Sequence, residues 1–276
     1  MDFHQYCEQK AAPVGSAFYY ALRGVPISGR RGIVAIYALS RELHEGLDEC
    51  SDATIAEAKL AWWATELDRW AAGRPEHPVT KALHDAVPQD TVTREQLQEM
   101  LDGVEMNLRH ARYNDFKGLR LYCHRHGGVA MQLAAQMLGC RDKQTMRYAH
   151  ELGVALSLSE LVLEAGAHLR KGIVYWPVED LQRFEVPAAD LLALKVHPNL
   201  AALVEFQLAR ALTHLSDAAK TLPPAAEARS LRYGRILAAI AGATLGEVKA
   251  AGANCVLNQR VSLTPIRKLW IALKTR

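Results

Sequence analysis

The sequence contains no C-x-x-C pair, no run of about eighteen apolar residues and almost no β-branched stretch of alternating polarity. Each absence removes a class of protein. Five cysteines, at positions 7, 50, 123, 140 and 255, lack any metal-ligand spacing and read as reduced, mainly structural thiols. Without a spanning segment, and with an N-terminal "MDFHQYCEQKAAPVG" that lacks the basic-then-apolar order of a secretory signal, the expected location is the cytoplasm. Charge of one sign is also scarce. Thirty-three basic and thirty acidic residues leave a formal +3, too balanced to draw nucleic acid by electrostatics alone. No internal repeat, low-complexity tract or long Gly/Ser linker divides the chain, so a single domain over 1–276 is expected.

What is present is helical periodicity, with apolar residues making up 50% of the chain, enough to bury a sizeable core. The expected architecture is all-α. A helix capped by Ser28 runs through Ile33, Ile36, Tyr37, Leu43 and Leu47, and another starts at Asp52 and stops at Gly73-Arg74-Pro75. Thr93 and Gln96 form a capping box, and one long helix is expected over Phe116 to Leu138. The most apolar helix spans Lys143 to Lys171, as suits the centre of a bundle, and Gly172 ends it. A loop with one-turn helices and three further helices, near 199–219, 224–250 and 262–274, complete the chain.

Two stretches carry chemistry. "SRELHEGLDEC" puts His44 and Asp48 four residues apart beside Glu45 and Glu49, and "LEAGAHLRKG" puts Glu164 and His168 at the same spacing in reverse order. Each pair is either a solvated helix face or one half of a metal site. Glu160 and Glu164 interrupt the most apolar helix, where a carboxylate is costly unless paired or bound to a cation. "YCHRHGGVA" holds His124 and His126 before Gly127-Gly128, and since H-x-H on a helix aims its rings about 200° apart, a structural role suits them better than a shared ligand. Arg30, Arg31, Arg41, Arg170 and Lys171 lie near the ends of the motif helices, as surface charges or as phosphate partners.

"YCEQKAAPVGSAFYYAL", "AIYALSRELHEGLDE", "AKLAWW", "VEMNLRHARYNDF", "LYCHRHGGVA", "YAHELGVALSL", "RKGIVYWPVEDL" and "LNQRVSLTPIRKLWIAL" together resemble the squalene/phytoene synthase family, and most its bacterial hopanoid-pathway branch, the presqualene diphosphate synthases. The resemblance covers essentially the whole chain in order. It implies an all-α isoprenoid-synthase bundle with a central cavity, where two Asp-rich motifs hold Mg2+ and bind prenyl diphosphates such as farnesyl diphosphate for head-to-head joining. On that basis Asp48, Glu49, Glu45 and Glu164 would serve the metal, with Glu160 beside them. Arg41, Arg112 and Arg170 would meet the diphosphate, and Tyr37, Tyr113 and Tyr175 would steady carbocations.

The departures fall within the motifs. Where the family has "REVDDVVDE", His44 and Glu45 replace aspartates while Asp48 and Glu49 remain. Where it has "NILRDVGEDARRGRIYLP", Glu160 replaces Asn, Leu163 Arg, Glu164 Asp, Ala167 Glu, His168 Asp and Ile173 Arg; Asn107 also stands for an expected Asp. Magnesium prefers hard oxygen ligands, whereas two imidazoles facing carboxylates suit Zn, Mn or Fe. Three outcomes follow: a prenyltransferase with altered metals, a transition-metal site at His44 and His168, or a catalytically silent paralogue without metal that binds an isoprenoid lipid or assists assembly. The basic, apolar C-terminal segment "RVSLTPIRKLWIALKTR" is either a core-packed helix or a peripheral contact with the inner membrane face.

Overall fold

A computed structural model describes residues 2–48, 52–87, 91–109, 112–223 and 229–275, with backbone alone at 46–48 and 53. Every regular element among them is helical, and the extended pairing they contain is an isolated bridge between Arg112 and Val174. The first motif helix spans Ile27–Asp48, beginning one residue before Ser28, so that serine lies inside it rather than capping it. Asp52 caps Ala53–Ala71 by accepting from the Thr54 amide at 2.8 Å. Gly73, at φ +73°, then turns the chain, a conformation without penalty only for glycine. Thr93 and Gln96 close the expected capping box in both directions, at 3.0 and 3.3 Å, ahead of Arg94–Arg109.

The most apolar helix, Lys143–Leu163, packs against Val129–Met137, Leu200–Lys220 and Arg232–Ala251, so it is central as its all-round hydrophobicity requires. Glu164 interrupts it and Ala165–Arg170 continues its course. The expected helix over Phe116 to Leu138 is divided: Phe116–Cys123 and Val129–Met137 flank a wider π turn at His124–Gly128. A Cβ on Gly153 would collide with the Gly127 carbonyl and the Gly128 Cα, so the π turn lies backbone to backbone on the central helix.

The buried apolar residues form two clusters, and both of these helices pass from one to the other. Leu119, Tyr122 and Cys123 belong to one cluster, Val129, Met131 and Leu133 to the other. On the central helix Tyr148 and Leu152 belong to the second, Val154, Leu158 and Leu161 to the first. The polar groups of the site stand where the helices cross between clusters.

Candidate functional site

Tyr37, Arg41 and His44 are spaced i, i+4, i+7 on Ile27–Asp48 and therefore share a face. Glu160 follows Gly153 by seven residues on the central helix, so it lies on the face that meets the π turn. The turn separates its two histidines. His124 Nδ1 meets His150 Nε2 at 3.0 Å, whereas His126 Nδ1 meets His44 Nε2 at 2.8 Å and His126 Nε2 meets Glu160 at 3.3 Å.

The directions of these bonds fix the protons. Ser40 C=O can only accept, so His44 Nδ1, 2.7 Å away, carries its hydrogen and donates. Burial, reinforced by the charge of His126, pushes His44 down to about 3, which leaves its ring neutral and Nε2 a lone-pair acceptor. His126 Nδ1–H must supply the proton. Glu160 is opposed by burial, yet the hydrogen bond and charge of His126, then Arg41 and His168, hold it at about 2, so its carboxylate only accepts. On its other side the His126 ring sets Nε2 against the Glu160 carboxylate. The Glu160 side chain is 55% open to solvent.

A second network adjoins the first. Val178 N–H donates to Tyr113 C=O at 2.9 Å, and with the Arg112–Val174 bridge this binds the segment after Arg94–Arg109 to the loop that carries Tyr175. Tyr113 O–H donates to Asn107 Oδ1 (2.9 Å), and Asn107 Nδ2–H donates to the Tyr175 oxygen (2.7 Å). Tyr122 reaches the same oxygen at 3.5 Å and stacks on His126, centroids 5.4 Å apart. Burial raises Tyr113 and Tyr122 well above the usual phenol range, so both stay neutral. Tyr37 is raised by burial, then by Glu160, and stacks on Phe18 at 4.0 Å. His168 stands edge-on to Tyr175 at 4.7 Å.

The structure thus joins His44 and Glu160 through His126, and Tyr113 and Tyr175 through Asn107. The remaining expected residues have other partners. Glu45 pairs with Lys10 (2.8 Å) and Arg41 (3.2 Å), and Glu164 pairs with Arg260 (2.8 Å). Arg170 donates to Leu257 C=O at 3.0 Å, and Arg112 is exposed. The Asp48 side chain and all of Glu49 lie outside the described residues. The four-ligand claw of His44, Asp48, Glu164 and His168 is not assembled among the described residues, where no three His, Cys, Asp or Glu could hold a metal ion. Its physical obstacle is plain: both nitrogens of His44 are engaged and Glu164 has its own cation. Sequence reasoning missed His126, Lys10 and Arg260. The glycine pair after His126 was the available signal, since it marks a local change of helical pitch.

Helices enclosing an aromatic-walled interior between two facing polar stretches define an all-α isoprenoid-synthase fold. The chain superimposes on a dehydrosqualene synthase solved with a ligand (TM-score 0.83, 20% identity, 99% of this chain and 95% of that one). It likewise matches the squalene synthase HpnC of Alicyclobacillus acidocaldarius (TM-score 0.77, 20% identity, 90% and 94%). The profile of the squalene/phytoene synthase family matches residues 4–267, and a phytoene synthase of Arthrospira platensis is 30% identical over 223 residues, 76% of this chain and 72% of that protein. The chain belongs to the squalene/phytoene synthase family.

Magnesium is the metal that family implies, and among the described residues no three His, Cys, Asp or Glu are grouped to hold it, the Asp48 side chain and Glu49 lying outside them. It needs several uncommitted oxygen ligands. Here Glu45 pairs with Lys10 and Arg41, Glu164 pairs with Arg260, Glu160 meets His126, and the nitrogens of His44 are occupied by Ser40 and His126. A zinc, manganese or iron ion would meet the same closed imidazole.

Proposed function

We propose that this protein binds a prenyl diphosphate such as farnesyl diphosphate, or a related isoprenoid lipid, in the groove of its family without magnesium-driven ionisation, in a binding or assembly role. One observation carries this: each described carboxylate at the metal positions has a side-chain partner within the chain. The exposed Arg112 is a diphosphate partner, and Arg41, on Glu45 here, would exchange that carboxylate for phosphate oxygens, since a guanidinium holds phosphate oxygens bidentately without a cation.

A second reading is favoured by the ordered wall of Tyr113, Tyr122 and Tyr175 around Asn107. Aromatic faces attract a cation, and a water-poor interior protects it, which are the protein's contributions to head-to-head prenyl transfer. One experiment separates the two: farnesyl diphosphate, with and without magnesium, assayed for pyrophosphate release, hydrocarbon products and binding. Binding without turnover is expected. Turnover would overturn the binding role and establish transfer.

The helix Pro265–Lys274 adds a contact surface to this reading. Ile266, Trp270 and Leu273 are exposed along one stripe, with Arg267 and Lys274 beside it, a composition suited to an anionic lipid surface.

A further inference from the structure

The first turns of Ile27–Asp48 stand away from the polar seam, for His44 lies about 25 Å further along the helix at 1.5 Å per residue. Ile27 is 92% exposed, more than any other large apolar side chain among the described residues. Arg30 and Arg31 follow it by three and four positions, so the three share one face. That face points outward, because the other side of these turns is pressed onto the end of Val129–Met137: a Cβ on Gly29 would strike Leu138, and one on Gly32 would strike Met137. Arg23, Arg30 and Arg31 are exposed, and among the described residues none has an ion pair or a side-chain hydrogen bond. Arg41, on the same helix, holds Glu45. The last turn of the C-terminal helix lies at this end too. Gly24 abuts the backbone of Arg232 and Tyr233, and Arg232 donates to the Ala272 and Thr275 carbonyls, which brings Leu273, 64% exposed, and Lys274 toward Arg23.

We propose that this end of the bundle rests on an anionic bilayer, with Ile27 inserted among the headgroups and Arg23, Arg30 and Arg31 against their negative charge. Interfacial binding adds buried apolar area to electrostatic attraction, and this surface offers both terms within one helical turn. An acidic protein face would answer the arginines and leave Ile27 in water. The C-terminal stripe is then one part of a wider footprint whose other part is the start of the first motif helix. The inference goes beyond the prenyl-binding reading and holds whatever the seam binds, since none of these residues belongs to it.

Co-sedimentation of the full chain with vesicles of phosphatidylcholine, alone or mixed with phosphatidylserine, tests the footprint. The parent should prefer the mixed vesicles. Arg30→Gln with Arg31→Gln should weaken that partitioning about five-fold for each charge removed. Ile27→Ser should weaken it several-fold with the charge unchanged. Lys117→Gln with Lys195→Gln is the control: it removes the same charge from exposed, unpaired positions on segments packed in the other apolar cluster, and should stay within about two-fold of the parent, since salt screens distant charges. Every substituted side chain is exposed, so the core is untouched. A parent without preference for phosphatidylserine overturns the proposal, and so does a control that loses as much as the arginine pair, which would show net charge at work. Weakening by the arginine pair with none from Ile27→Ser would reveal attraction by charge alone, as to an acidic protein, and overturns the bilayer. The arginine pair must also weaken binding in the Trp270→Ser, Leu273→Ser background; no further loss there would leave the C-terminal stripe as the whole footprint and end the proposal.

Discussion

His126 joins two helices that its family would join by a metal, and its replacement has a readable consequence. Removing the imidazole leaves Glu160 without its ring partner and His44 without its donor, so His126→Ala should lower Tm by about 5 °C, given a few degrees per kcal/mol for a chain of this size. It should also create a response absent from the parent. Once EDTA-treated, the parent's Tm should not move with millimolar magnesium, whereas that of His126→Ala should partly recover, because an unpaired carboxylate facing water attracts a cation. Adding Glu160→Gln should abolish the recovery. Thermal unfolding of the three proteins with and without magnesium checks it, and a magnesium-dependent parent would contradict the internal pairing.

At the scale of elements, the tightest contact is between the π turn and the central helix. Gly153→Ala would drive a methyl into the Gly127 backbone, which has no rotamer to yield, so a loss of about 1–3 kcal/mol or more is expected on denaturant unfolding. Gly246→Ala is the control: nothing lies within 4 Å of its Cβ position, and alanine in an exposed helix should be neutral or stabilising by about 0.5–1 kcal/mol. The capping box at Thr93, the stop at Gly73 and the central place of Lys143–Leu163 were legible in the sequence because each follows from local hydrogen bonding or from hydrophobic periodicity. The π turn was not legible, because periodicity assumes a constant pitch. Nor were Lys10 and Arg260 as partners of Glu45 and Glu164, since pairs 35 and 96 residues apart leave no local pattern. The divergence of His124 and His126 was correctly expected from H-x-H spacing, yet it concealed that the second ring reaches the site.

Across the whole molecule, no helix among the described residues is long and apolar enough to cross a bilayer. The C-terminal helix is anchored by Arg232, which donates to the Ala272 and Thr275 carbonyls, and by Lys268, which donates to Gly15 C=O at 2.8 Å. Its exposed stripe is thus presented by a fixed helix. Trp270→Ser combined with Leu273→Ser should reduce co-sedimentation with phosphatidylserine vesicles several-fold and leave the weak binding to neutral vesicles unchanged. Equal sedimentation of parent and variant would remove this surface from consideration. The π turn also governs the molecule at large, for an i→i+5 turn holds one residue more than an α-helical turn of the same rise. Deleting a single residue within 124–128 would restore even pitch and rotate everything on one side by about 100° relative to the other. Tyr122 and Val129 could then no longer both face their own apolar clusters, so the chain should tolerate substitution in this turn far better than a change in its length.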